Sequence, residues 1–81
     1  MKIRLKMFAM LRERSGVGEI VLELPAGATV SQALGALEKR YGGLAELLPR
    51  AATAVNLCAA GEATILRDGD ELALIPPVSG G

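Results

Sequence analysis

Histidine and tryptophan are absent from this 81-residue chain, and cysteine occurs once, as Cys58. Without histidine, neither a Ser-His-Asp triad nor a histidine-based acid/base pair is possible. One thiol supplies too few ligands for a zinc ion or an iron–sulfur cluster, so we expect no metal site and no bound cofactor in this chain. Its chemistry must come from another kind of group.

Net charge and aromatic side chains are also lacking. Nine basic residues balance nine acidic ones, and there is one Tyr and one Phe. We expect no nucleic-acid partner, because such proteins carry a basic surface and aromatic stacking platforms. No apolar run approaches the roughly 18 residues that cross a membrane, and the first residues lack the apolar core of a signal peptide. We therefore expect a cytoplasmic protein without a membrane partner.

The chain length permits one small domain. A domain of this size buries only about 60 to 65% of the surface of its unfolded chain, which leaves no room for an enclosed active site. Reactive groups are therefore expected at the surface or at the end of the chain.

Two strands are predicted near the N-terminus, where apolar and polar side chains alternate with the period of a half-buried strand. Residues 2–7 show this pattern first, and residues 19–24 repeat it, so the two segments are expected to form a wide antiparallel hairpin. Between them, residues 8–14 change period and predict a single helical turn in which Phe8 and Leu11 share a face.

One amphipathic helix is predicted next, with Thr29 as its N-cap and Gln32 as the return arm of a capping box. Gly35 in mid-helix costs roughly 1 kcal/mol relative to Ala, which predicts a close contact between helix and sheet there. Gly42 and Gly43 are expected to give the helix a left-handed exit. The apolar stripe that is expected to pack on the sheet comprises Val30, Ala33, Leu34, Leu37 and Tyr41.

Shorter elements are predicted in the second half of the chain. Residues 44–48 are expected to form a short helical turn. Residues 53–58 predict a third strand with Val55 and Leu57 on one face, and residues 63–66 predict another short piece before the last strand.

The order of elements indicates an α+β fold of two layers: two strands, a helix, short strands and a last strand. One main helix packed on one face of a mixed sheet of four to five strands, and crossing between strands two and three, is the β-grasp arrangement. We divide the chain accordingly into a β-grasp domain, residues 1–75, and an extended C-terminal tail, residues 76–81, which ends in Gly-Gly.

The segment that leads into the tail has a distinctive sequence. An Asp68-Gly69 turn is expected to begin an apolar strand at residues 72–75. Pro76 and Pro77 end that strand, because they remove two amide donors and fix φ. The proline pair is therefore expected to hold the following residues clear of the sheet.

The α-carboxylate of Gly81 is a reactive group that needs no side-chain neighbour. It becomes an electrophile once a partner enzyme converts it to a mixed anhydride with a nucleotide. A sulfide equivalent can then displace the nucleotide, which produces a thiocarboxylate. Gly80 and Gly81 lack Cβ atoms, so this end fits a slot of backbone width. The alternative is an ordinary frayed terminus or a cloning remnant. Two terminal glycines after a strand and a proline pair favour function.

Other candidate sites are weaker. Cys58 offers a thiol for a persulfide, but without histidine or a basic residue close in sequence it is better interpreted as a small apolar residue beside a strand. Asp68, Asp70 and Glu71 are expected to serve turn chemistry rather than bind a cation. Apolar residues that are candidate contacts for a partner protein are Met10, Val21, Ile75 and Pro76.

Four stretches of the sequence carry a resemblance to a known family. Pro76-Pro-Val-Ser-Gly-Gly81 after Asp68-Gly-Asp-Glu-Leu72, with Phe8-Ala-Met-Leu-Arg-Glu13 and Val55-Asn56 earlier in the chain, resembles the MoaD-type small subunit of molybdopterin synthase. The similarity covers essentially the whole chain. The chain departs from the family's usual pattern at residues 57–63, which leaves the register of a short fourth strand open.

The resemblance implies a ubiquitin-like β-grasp fold and a sulfur carrier that is not itself catalytic. An E1-like adenylyltransferase would use ATP to adenylate Gly81, and a sulfurtransferase would supply the sulfur of the thiocarboxylate. Inside the large catalytic subunit, sulfur would pass to cyclic pyranopterin monophosphate, in an assembly of two small and two large subunits. The tail residues that would bind the partner are Pro76, Pro77, Val78, Ser79 and Gly80.

Two alternatives remain open. A sulfur carrier for thiamine synthesis resembles this fold and also ends in Gly-Gly, but generally lacks the proline pair, so Pro76 and Pro77 favour the molybdenum branch. A ubiquitin-like modifier would instead link Gly81 to lysines of target proteins. The sequence separates these functions poorly, because activation of the C-terminus is common to all of them.

Overall fold

The computed structural model describes residues 1–77. Two short 3₁₀ helices, Gly42–Leu44 and Leu48–Arg50, follow the second α-helix. The strands and α-helices, in chain order, are β1 (Lys2–Met7), α1 (Ala9–Ser15), β2 (Glu19–Glu23), α2 (Val30–Arg40), β3 (Ala52–Val55), β4 (Cys58–Ala59) and β5 (Glu71–Ile75).

The five strands form one mixed sheet in the order β2-β1-β5-β3-β4. β1 and β5 run parallel, whereas the pairs β1–β2, β3–β5 and β3–β4 are antiparallel. With α2 covering one face, this is the β-grasp arrangement, so the predicted α+β fold and its mixed sheet are confirmed.

Alternation along the strands separates core from surface as the sequence predicts. In β1, Ile3, Leu5 and Met7 are buried, while Lys2 and Arg4 are exposed. Buried and exposed residues also alternate along β2, and the two strands form the predicted antiparallel hairpin. The apolar faces of both strands belong to the single core of the domain.

The start of α2 has the predicted capping box. The backbone N–H of Gln32 donates to Thr29 Oγ1 over 3.3 Å, and the Thr29 N–H donates to Gln32 Oε1 over 2.8 Å. This exchange satisfies two of the amide donors that a helix N-terminus leaves unpaired. Tyr41 is the C-cap and is partly buried against the core, and the four buried residues of the stripe are Val30, Ala33, Leu34 and Leu37.

Helix α1 differs from its prediction. It is seven residues long rather than a single turn, and Phe8 is its N-cap in extended backbone conformation. Because Phe8 lies outside the helix, it does not share a face with Leu11. Leu11 is buried in the core, whereas Phe8 is exposed.

The predictions for the glycines of α2 were wrong. A Cβ at Gly35 would meet nothing within 4 Å, so no close contact with the sheet requires a glycine there. Gly42 and Gly43 do not have positive φ and begin a 3₁₀ helix instead. The left-handed exit belongs to α1, where Gly16 is the C-cap with φ 81°.

The predicted third strand is also too long. β3 ends at Val55, and Asn56 and Leu57 have φ values of 50° and 70°. Two successive residues with positive φ make the two-residue turn of a tight hairpin, which returns the chain as β4. Leu57 therefore does not share a face with Val55. Residues 63–66 form no strand, and Ile65 contributes one isolated bridge to Thr29.

Within residues 1–77, no helix is long and apolar enough to span a membrane.

Candidate functional site

The strand that leads into the tail lies in the middle of the sheet. β5 pairs with β1 on one side, from Arg4↔Glu71 to Met7↔Leu74, and with β3 on the other. Leu72 and Leu74 are completely buried on its inner face. A strand held on both sides and anchored in the core gives the tail a fixed base.

Asn56 holds the beginning of β5 in place. Its backbone N–H donates to the carbonyl of Glu71 over 2.8 Å, and its Oδ1 accepts from the Glu71 N–H over 2.9 Å. The side-chain amide donates to Asp70 Oδ1 over 2.9 Å. Asparagine tolerates positive φ better than most residues, because its short side chain bonds local backbone groups, as it does here.

The acidic residues before β5 serve the turn, as predicted. Asp68 Oδ1 accepts from the backbone N–H of Lys2, and Asp70 Oδ2 accepts from that of Arg67, both over 2.8 Å. Gly69 supplies the positive φ of 84°. Within residues 1–77, no group of three or more His, Cys, Asp or Glu side chains is arranged to hold a metal ion.

Glu71 forms an ion-pair network on the outer face of the sheet. Its Oε1 lies 3.3 Å from Arg4 Nη2 and 3.2 Å from Lys6 Nζ, and its side chain is only 15% exposed. Both partners are on β1, so the network ties the two parallel strands together at the surface. Isolated exposed pairs contribute about 0 to 1 kcal/mol, and a partly buried shared carboxylate lies at the favourable end of that range.

An apolar groove of about 430 Å³ lies at the base of the tail. Parallel strands end at the same edge of a sheet, and because Met7 pairs with Leu74, the next residues, Phe8 and Ile75, come together there. Phe8 is 46% exposed, Ile75 is 48% exposed and Met10 is 41% exposed. Large apolar side chains gathered in one exposed groove indicate a surface for binding a partner. The groove is lined by Phe8, Ala9, Met10, Glu13, Ile75, Pro76 and Pro77.

The structure brings together some of the residues singled out in the sequence. Pro76, which is partly buried, and Pro77, which is exposed, line the groove with two of the candidate contacts, Met10 and Ile75. The other, Val21, lies on the outer strand β2 and does not line it. The remaining tail residues, Val78, Ser79, Gly80 and Gly81, lie outside the described residues, so their role stays a prediction.

Cys58 lies on a different element from the groove. It is exposed on the edge strand β4, which is separated from β5 by β3. Cys58 pairs in register with Val55 of the neighbouring strand rather than with any residue at the base of the tail.

Sequence reasoning missed the contribution of Phe8, Glu13 and Asn56 to this region. The signal for Phe8 is its place directly after a strand, but only the parallel pairing of β1 with β5 brings it to the tail. The signal for Asn56 is its position directly after an apolar strand, because an asparagine there favours a turn.

Comparison with known proteins places these features in a family. The sequence model of the ThiS family matches residues 5–81. The chain belongs to the ThiS family. The match includes both the groove and the C-terminal residues, so it covers the whole candidate site.

Relatives of this ThiS-family chain support the resemblance described from the sequence. A protein of Arabidopsis thaliana named molybdopterin synthase sulfur carrier subunit is 35% identical over 80 residues, which cover 99% of this chain and 83% of the relative. The crystal structure of small archaeal modifier protein 1 of Haloferax volcanii is 30% identical with a TM-score of 0.88, covering 95% of this chain and 98% of that one.

A second similar structure contains two kinds of subunit. It is the complex of subunits 1 and 2 of molybdopterin-converting factor from Helicobacter pylori, with a chain 28% identical to this one and a TM-score of 0.68, and both chains are covered completely. These similarities confirm the ubiquitin-like β-grasp fold of the ThiS-family chain and its resemblance to the MoaD-type small subunit.

Proposed function

We propose that this chain is the sulfur carrier subunit of a molybdopterin synthase. The observation that carries the proposal is the position of its Gly-Gly-ended tail, which begins directly after the central strand β5 and beside an exposed apolar groove. A fixed base orients the tail, and the groove supplies contact area for the protein that receives it. The Arabidopsis thaliana relative with the corresponding name supports this assignment.

The proposed chemistry takes place at the carboxylate of Gly81. A carboxylate oxygen attacks the α-phosphate of ATP in a partner adenylyltransferase, pyrophosphate leaves, and an acyl-adenylate forms. Hydrosulfide then attacks the acyl carbon, and AMP leaves with the electron pair of the broken C–O bond. The product is a thiocarboxylate, in which the sulfur replaces one carboxylate oxygen.

The proposed acceptor is a large catalytic subunit, where sulfur passes from Gly81 to cyclic pyranopterin monophosphate. This chain would supply the sulfur and the docking surface, and the large subunit would supply the catalytic residues. The Helicobacter pylori complex, in which a similar chain is assembled with a second subunit, supports a two-subunit arrangement. Ordering the tail costs about 1 to 2 kcal/mol per residue, a cost that the prolines reduce and contacts in the groove offset.

Deletion of Gly81 tests the proposal directly. The variant is expected to fold normally, because Gly81 follows the last strand, and to lose sulfur transfer, because the adenylated group is then a different residue. Molybdopterin is measured in a mixture of the chain, its large subunit, adenylyltransferase, ATP, sulfide and cyclic pyranopterin monophosphate, and thermal unfolding is measured in parallel. Appending one residue after Gly81 should give the same loss. Undiminished product from either variant would contradict the proposal.

A protein modifier is the second candidate function, and the similarity to small archaeal modifier protein 1 favours it specifically. In this case the ε-amino group of a target lysine attacks the acyl-adenylate and AMP leaves, which produces an isopeptide. Two purifications of the tagged chain from its own cells separate the functions: a denaturing one detects covalent conjugates, and a native one detects a bound large subunit. Lysine conjugates with many proteins would support the modifier, whereas co-purification with one large subunit would support the carrier and disfavour a thiamine-pathway role.

A further inference from the structure

Among residues 1–77, one charged side chain lines the groove at the base of the tail, that of Glu13. Glu13 lies on α1 three residues after Met10, so both side chains lie on the same face of the helix. It is exposed and makes no salt bridge within residues 1–77. The groove therefore presents a free carboxylate beside its apolar walls.

The basic residues of α1 do not neutralise this carboxylate. Arg12 packs across Gly18, with its Nε 3.3 Å from the position of a Cβ there. Arg14 Nη1 instead lies 3.9 Å from Glu46 Oε2. Neither arginine forms a salt bridge with Glu13, so the part of the groove that the structure describes carries a negative charge although the helix carries two arginines.

We propose that Glu13 determines the partner specificity of the groove by binding a lysine or arginine side chain of the large catalytic subunit. The inference rests on the proposed function and adds the chemistry of the partner surface. That surface presents an apolar side chain, which fills the space between Phe8, Met10 and Ile75, with the basic side chain directly beside it. Complementary charge of this kind accelerates association and discriminates against partners of the wrong sign.

A second copy of this chain fits the groove less well. A symmetric dimer through this surface would place the same residues on both sides of the two-fold axis. Each copy would then bring its own Glu13 carboxylate to a contact whose other lining residues, as far as the structure describes them, are uncharged. Repulsion between like charges disfavours that arrangement.

Charge reversal at position 13 tests the inference. We expect Glu13→Lys to slow association with the large subunit of the same organism about tenfold at low salt, and Glu13→Gln to slow it about threefold, since rim charges act mainly on the association rate. Raising the salt concentration should lower the association rate of the wild-type chain and bring it closer to that of Glu13→Gln. Stopped-flow or surface plasmon resonance measures both effects, with the large subunit as the probe.

Glu38→Lys is the matched control. Glu38 is also exposed, lies two residues before the last residue of its helix, and makes no salt bridge within residues 1–77, but it does not line the groove. The substitution changes net charge equally and should leave the association rate within about twofold of wild type, because an exposed charge far from the contact is screened. Thermal unfolding of each variant verifies that it is folded.

The outcomes separate the inference from the proposed function. If the wild-type chain binds the large subunit and Glu13→Lys binds as fast as Glu38→Lys, the inference is wrong and the proposed function stands. Failure of the wild-type chain to bind overturns both. A wild-type chain that elutes as a dimer held through Phe8 and Met10, and that excludes the large subunit, would assign the groove to self-association instead.

Discussion

At the scale of the residue, Leu57 has a backbone conformation that its side chain disfavours. It has φ 70° in the turn between β3 and β4, and its side chain is 88% exposed. A turn of this kind prefers glycine at the second position, after an asparagine such as Asn56. Leucine gains no burial there and carries the cost of a left-handed backbone, so its presence is not explained by the stability of the domain.

Substitution of Leu57 by glycine is expected to stabilise the protein. It removes a backbone strain of roughly 1 to 2 kcal/mol, while the added freedom of the unfolded chain offsets about 0.4 to 1 kcal/mol, so the free energy of unfolding should rise by up to about 1.6 kcal/mol. Urea unfolding measures the change. Asn56→Ala is the opposing control and should destabilise, because it removes the bonds to Asp70 and Glu71. A less stable Leu57→Gly would show that the side chain makes stabilising contacts.

At the scale of the element, patterns within a few residues were predicted well, whereas the structural roles of the glycines were not. The capping box of α2 and the alternation in β1 and β2 are patterns within a few residues, and both were confirmed. Whether a glycine marks a close contact or a left-handed exit depends on neighbours distant in sequence. Gly35, with nothing near its missing Cβ, shows that a mid-helix glycine alone does not indicate packing.

Gly35→Ala is therefore expected to stabilise the domain by roughly 1 kcal/mol, the difference in helix propensity between the two residues. The new methyl group would meet nothing within 4 Å, so no strain opposes this gain. Thermal or urea unfolding provides the measurement. Gly16→Ala should lower stability instead, since its φ of 81° disfavours any residue with a Cβ. Equal effects of the two substitutions would contradict this account of the helices.

At the scale of the whole molecule, strand order determines the candidate site. The sequence predicts β1, β5 and the proline pair as separate pieces, whereas the groove exists because β1 and β5 run parallel and end at the same edge. No local pattern specifies that pairing, so Phe8 and Glu13 were not recognised as neighbours of the tail. The reactive end stays a prediction, which rests on the exclusion of histidine and metal chemistry and on the C-terminal carboxylate as the remaining group.

The central claim is that Gly81 carries sulfur as a thiocarboxylate, and the intact mass of the protein tests it most directly. The chain is isolated from cells that contain its activating enzyme and measured by mass spectrometry alongside the variant that lacks Gly81. The account predicts a species heavier by the difference between one sulfur and one oxygen atom in the wild-type chain, and its absence from the variant. The same mass gain without Gly81 would contradict the account, and so would a gain of one whole sulfur atom in both proteins, which a persulfide of Cys58 would produce.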